Sequence, residues 1–166
     1  MEHFLSYLEV MNLSVCSLVK LIAKKKKKAL SDLKLIDLIF DKKSLIGVYI
    51  LFDNNDNPIY VGKTGSRAIL ERIASHLDLR EDAFMNNFLC ALTGKKKGKK
   101  NETATEKEIL NVYDFAINCK ILFIQIPEKK LINRVEKVLL DQIKPKLNNL
   151  TGVKAYNISD KICELL

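Results

Sequence analysis

The sequence predicts an α+β fold: a small, mainly antiparallel three-stranded sheet flanked by helices, with an N-terminal helical extension. Three observations predict it. First, Leu45 to Phe52 and Ile59 to Lys63 are short apolar runs carrying β-branched and aromatic residues, and they are joined by Asp53-Asn54-Asn55-Asp56-Asn57-Pro58, which has the composition of a turn. That is a hairpin. Second, apolar residues at helical spacing precede and follow it. Third, Ile117 to Ile126 reads as another strand, followed directly by Pro127-Glu128 and a helical pattern to about Ile143.

The elements follow in order. Phe4, Leu5, Leu8, Met11, Val15, Leu18, Val19 and Ile22 fall at near-helical spacing and predict one helix over residues 3–23. The run Lys24 to Lys28 reads either as a solvated helix end, where cations complement the dipole, or as a phosphate-contacting patch. Ser31 to Phe40 predicts a short second helix. After the hairpin, Ser66 is a candidate N-cap for a helix to about Leu79, with Ile69, Ile73 and Leu77 as its apolar stripe. Residues 80–100 lose periodicity, and Thr93 to Lys100 reads as a flexible basic loop. Thr103 to Glu106 has capping-box spacing and predicts a short helix toward Tyr113. Lys144-Pro145 ends the last helix. The expected organisation is an extension over 1–40, the main α+β domain over 41–150 with a basic insertion at about 80–116, and a tail over 151–166.

With 166 residues, 48% of them apolar, the chain suffices for one core and is too short for two full domains. A net charge of +8 and a pI near 9.3 favour an anionic partner, most often nucleic acid and less often a membrane surface. Cys16, Cys90, Cys119 and Cys163 are scattered and form no C-x-x-C pair, which argues against a metal finger or a disulfide framework. Reduced structural thiols fit a cytoplasmic protein. Glu9, Asn12 and Lys20 interrupt the first apolar stretch, so neither a signal peptide nor a membrane span is expected.

Several residues carry chemistry. Tyr49 and Tyr60 sit one on each strand of the hairpin, and by themselves they read as a cross-strand aromatic pair. Gly62 lies inside the second strand, where glycine marks a bulge or a close backbone approach, and Gly47 does the same at the start of the first. Arg72 and His76 are four apart on one helix, so they share a face one turn apart. Two potential cations so placed fit an anion better than each other: arginine offers the planar fork for phosphate, and histidine exchanges protons near neutrality. Glu136 is flanked on its helix by Ile132, Leu139, Leu140 and Ile143. A carboxylate on such a face needs a cation, either a side chain or a metal.

Gly47-Val48-Tyr49, a turn, then Tyr60-Val61-Gly62-Lys63-Thr64, followed by Arg72, His76, Glu136 and Asn148 in that order, resembles the GIY-YIG nuclease signature. The resemblance covers roughly residues 45–79 and 117–149. Val48 and Val61 replace the isoleucines of the family name and touch no reacting group. Lys63 and the Arg72-x-x-x-His76 spacing are nearer the restriction-endonuclease branch than the excision-repair branch.

The resemblance implies metal-dependent hydrolysis of phosphodiester bonds in nucleic acid, DNA favoured, of restriction, mobile-element or defence type. It implies Mg2+ (or Mn2+), with Glu136 as the single protein ligand and water and phosphate oxygens completing the shell. Arg72 would hold the scissile phosphate. Tyr49 would orient or deprotonate the attacking water. An ordinary tyrosine, with a pKa of about 10, needs a cationic neighbour or a proton acceptor for that work, and Lys63 and His76 are the candidates. Tyr60 would position the water or the phosphate. Asn148 would hold the last turn of the site or contact the phosphate. Lys95, Lys96, Lys97, Lys99 and Lys100, with the run Lys24 to Lys28, would grip the nucleic-acid backbone. Double-strand cleavage with one site per chain would favour a homodimer. Two other classes compete: a catalytically inactive binding module of the same fold, and an unrelated enzyme using a cysteine, for which no Cys–His context is visible.

Overall fold

A computed structural model of the chain describes residues 2–40, 43–80, 87–95, 104–148 and 159–165. In chain order it contains β1 (Phe4–Leu5), α1 (Tyr7–Val10), α2 (Val15–Lys24), β2 (Lys28–Ala29), two 3-10 turns (Leu30–Asp32 and Leu35–Leu38), β3 (Ile39–Phe40), β4 (Lys43–Ser44), β5 (Gly47–Phe52), β6 (Pro58–Thr64), α3 (Ile69–His76), α4 (Asn87–Leu92), α5 (Glu106–Asn118), β7 (Lys120–Gln125), α6 (Lys129–Ile143) and a closing 3-10 turn (Ile162–Leu165).

The sheet corrects the expectation of three strands. It is mixed and five-stranded, in the order β1-β7-β5-β6, with β2 also paired to β7. β5, β6 and β7 are antiparallel as expected, whereas β1 runs parallel to β7. Strands of two residues carry no alternation to detect, which is why β1 and β2 escaped the pattern.

The single helix expected over residues 3–23 is also corrected. Ser6 and Ser14 both take extended backbone (ψ 157°) and cap α1 and α2 with their side chains. A serine hydroxyl that bonds to nearby backbone offers the chain an alternative to continuous helix. The expected second helix, 31–40, is instead the two 3-10 turns and β3. α3 begins after Ala68 rather than at Ser66. Residues 80–100 contain α4, whose Phe88, Leu89 and Cys90 are buried. The capping box of α5 is Thr105 with Glu108, two residues later than expected, and the helix runs on to Asn118, so β7 starts at Lys120.

The sheet separates two apolar layers. Val48, Ile50, Phe52, Val61, Leu122 and Ile124 pack on one face against α2 and α6. Tyr49, Leu51, Tyr60, Ile121 and Phe123 pack on the other against α3, α4 and α5. Period-two alternation along β5 thus sends Tyr49 to one layer and Val48 to the other. The hairpin turn is held by Asp53, whose carboxylate accepts from the backbone N–H groups of Asn55 and Asn57 (both 2.9 Å) and from Asn57 Nδ2 (3.0 Å). One bulge follows, between Leu51/Tyr60 and Phe52/Pro58.

The lysine run is tied into this fold. Lys25 pairs with Glu9, Lys26 with Glu2, Lys27 with Asp56 and Lys28 with Asp37. Lys27 also lies over the Phe52 ring, 5.0 Å from its centroid. Cys16, Cys90, Cys119 and Cys163 are free thiols. Among the described residues no helix is long and apolar enough to cross a membrane.

Candidate active site

Tyr49 is the middle of the central strand and is fully buried. Its cross-strand partner is Gly62, and its ring lies over that residue. A Cβ at Gly62 would stand 2.2 Å from the Tyr49 hydroxyl oxygen and 2.3 Å from the carbon that bears it. Glycine is therefore required here by close approach. At Gly47 the reason is both conformation and space: φ is +151°, and a Cβ would meet the Ile124 carbonyl oxygen at 2.0 Å.

Tyr60 stands beside Tyr49 with ring centroids 6.3 Å apart, and His76 meets both edge-on at 5.7 and 5.4 Å. The Tyr49 hydroxyl lies 2.5 Å from His76 Nε2. Of the Arg72 and His76 pair expected to fit an anion, His76 is 1% exposed and belongs to the buried face of α3 with Ile69 and Ile73. Burial, and then the Arg72 guanidinium, push its pKa down to about 3. At neutral pH it is an uncharged imidazole. With its ring proton on Nδ1, Nε2 accepts from the Tyr49 hydroxyl. That Nδ1 is buried and has no hydrogen-bond partner among the described residues. Burial also raises the pKa of both tyrosines, opposed by Arg72. Tyr49 thus rests as a neutral phenol against a neutral histidine, with a cation close by.

Lys63 and Glu136 form the second half of the site. Lys63 Nζ donates to Glu136 Oε2 at 2.6 Å, with the carboxylate side chain 16% exposed. Strand parity places Lys63 toward α6, the opposite face from the tyrosines. The two halves approach around β6, the outer strand, and Glu136 is near enough to both tyrosines to raise their pKa. Among the described residues no three of His, Cys, Asp and Glu cluster as a metal cage. A single half-buried carboxylate does not suit zinc, but it does suit Mg2+, which takes one or two carboxylates and keeps its water.

Asn148 binds the backbone of the outer strand. Its amide spans the Val61 backbone, with Oδ1 accepting from the N–H at 2.7 Å and Nδ2 donating to the carbonyl at 2.8 Å. With Leu147 N–H bonded to the Ile59 carbonyl, it closes the free edge of β6. Of the two roles open to it, this geometry is the structural one. Lys95 is engaged by Glu108, whose pKa it holds down to about 2. Lys96, Lys97, Lys99 and Lys100 lie outside the described residues.

Sequence reasoning missed Phe88, which lies against Tyr60 (5.7 Å) and His76 (6.2 Å). No motif points to it, because α4 is short and lies in a segment without periodicity. It also missed a cleft of about 430 Å³ beside Arg72, lined by Lys63, Thr64, Gly65, Ser66, Arg67, Lys129, Ile132 and Asn133. The cationic residues next to the second tyrosine motif were the available signal.

A family model described as the GIY-YIG catalytic domain matches residues 37–164. No curated protein and no solved structure matches the chain.

Proposed function

The chain belongs to the GIY-YIG family, and on that premise we propose that it is an endonuclease hydrolysing phosphodiester bonds in DNA with Mg2+ or Mn2+, in a restriction, mobile-element or defence role. Nuclease chemistry on nucleic acid follows from the family. The metal and the choice of DNA are the further reading.

The observation that carries it is the short Tyr49–His76 contact next to Arg72. A phenol with a raised pKa is a poor base by itself. It can take a proton from water if its own proton leaves at the same time, and His76 Nε2 is 2.5 Å away to receive it. The charge formed is then a histidinium rather than a buried phenolate. Tyr60, 9% exposed where Tyr49 is closed off, forms the outer side of this pair and positions the water. Arg72 supplies the planar donors for the phosphate. Glu136 would hold the metal, which when bound stabilises charge on the leaving oxygen. Lys63, now on Glu136, neutralises the carboxylate in its absence.

The test is cleavage of supercoiled plasmid, linear duplex and a structured RNA with Mg2+, with Mn2+ and with chelator. DNA should be cut in the presence of either ion and left intact with chelator. Glu136→Ala should abolish cutting with an unchanged melting temperature, since Lys63 is 40% exposed and tolerates the loss. Tyr49→Phe should lower single-turnover rate by about 10² to 10⁴, the usual range for a proton-transfer group. Undiminished cleavage by Glu136→Ala, or in chelator, would refute the metal assignment.

A further inference from the structure

The cleft beside Arg72 is larger than one phosphate needs. At about 430 Å³ it falls in the range of small-ligand sites. Its floor is the Thr64–Gly65 backbone at the end of β6. One wall is the 66–67 loop and Arg72, and the other is Lys129, Ile132 and Asn133 of α6. Among the described residues, four cationic side chains line it, Lys63, Arg67, Arg72 and Lys129, and no carboxylate does.

These cations are not equivalent. Lys63 is held by Glu136, and Arg72 lies against the tyrosines. Among the described residues, no carboxylate pairs with Arg67 or Lys129. That contrasts with Lys25 to Lys28, each of which has its own acidic partner. The loop bearing Arg67 is fixed, because buried Thr64 donates its hydroxyl to the Arg67 carbonyl at 2.5 Å. Gly65 lies against the α6 wall, where an added Cβ would be 3.8 Å from Ile132 and 3.9 Å from Lys129. Arg67, on the loop after β6, and Lys129, at the start of α6, therefore line one cleft together with Arg72.

We propose that Arg67 and Lys129 grip the phosphate adjacent to the scissile one, so that the site takes a polynucleotide strand with at least two consecutive phosphodiesters. This rests on the nuclease reading. It adds an Arg fork and a Lys point charge acting on substrate backbone, with Ser66 and Asn133 as neutral donors beside them. Both residues are exposed, so their substitution leaves the core intact.

The experiment measures duplex binding in chelator and single-turnover cleavage with Mg2+. It compares the wild type, Arg67→Ala/Lys129→Ala, the Gln/Gln version of the same pair, and Lys130→Ala/Lys137→Ala as a control of equal charge on the exposed side of α6. The proposal expects the slope of log K against log salt to flatten by about 0.9 in the Arg67/Lys129 variants, the value for one phosphate neutralised. Binding at low salt should weaken by about tenfold or more, and the saturated cleavage rate should stay within about threefold. A methylphosphonate at the neighbouring linkage should weaken wild-type binding and leave the double variant indifferent. A wild-type slope in the Arg67/Lys129 variants, equal flattening in the control pair, or equal methylphosphonate penalties in both proteins would each overturn the subsite while leaving cleavage by the wild type intact. A wild type that binds with the expected slope difference but cuts nothing with either metal would instead overturn the nuclease reading and uphold the grip.

Discussion

Gly62 is the residue where the smallest substitution should have the largest functional effect. Replacing its hydrogen by a methyl puts a carbon inside contact distance of the Tyr49 hydroxyl. The Tyr49 ring must then move, and its 2.5 Å contact with His76 is lost. Gly62→Ala should cost about 1–3 kcal/mol of stability, as overpacking does, while lowering cleavage at least as far as Tyr49→Phe. Urea unfolding and single-turnover rates check the two halves, and full activity in Gly62→Ala would mean that Tyr49 acts from another position. The sequence marked Gly62 as a close approach but could not say what approaches it, because the partner lies thirteen residues upstream and its identity depends on register. Glu136 was legible as a carboxylate on an apolar face. The cation that meets it, Lys63, is seventy-three residues away and became visible only with the fold. The shared face of Arg72 and His76 was legible from their helical spacing, but the packing of His76 against Phe88 and the two tyrosines was not, because those rings come from other elements.

At the level of elements, β6 carries Tyr60, Gly62 and Lys63 and, among the described residues, has no further strand on its outer side. Leu147 and Asn148 stand in for one, bonding to the backbone of Ile59 and Val61. Asn148→Ala removes two of these bonds and should cost about 1–3 kcal/mol, at roughly 1 kcal/mol per bond. Equilibrium unfolding measures it. Backbone amide exchange at Val61 should quicken in the same variant, and unchanged exchange would show the amide clasp to be idle. The long apolar segments were readable from sequence: β5, β6 and α6 all fall within a few residues of their predicted spans. The two-residue strands β1 and β2 and the six-residue α4 were not, since periodicity needs length. The capping box of α5 was anticipated in kind but displaced, because Thr103 and Thr105 both precede an acidic residue at the right interval or close to it.

Across the whole molecule, the buried histidines link stability to pH. His76 has an ordinary pKa of 6.5 and is pushed down to about 3 by burial. Between those values the unfolded chain binds more protons than the folded one, so stability present above about pH 6.5 is lost as pH falls toward about 3. His3 is lowered in the same direction, first by burial. Melting temperatures of wild type and His76→Gln across that window should converge at the acid end, the variant showing the flatter curve. Parallel curves would mean that His76 is not held neutral. The +8 charge was read from sequence as a signal for nucleic acid, with the Lys24–Lys28 run and the lysines from Lys95 to Lys100 as the grip. The fold divides it: the Lys24–Lys28 run is largely spent on internal ion pairs, while Arg67 and Lys129 line the cleft beside Arg72. One further consequence comes from the Asp53 turn. Tyr49 faces Gly62 because that exposed turn, with its single bulge, sets the hairpin register. A strand slipped by one residue turns every side chain to the other face. On the proposed mechanism, the number of residues in this solvent-facing turn is thus a condition for hydrolysis. An insertion or deletion there would silence the enzyme as surely as losing a tyrosine, without altering any residue of its signature.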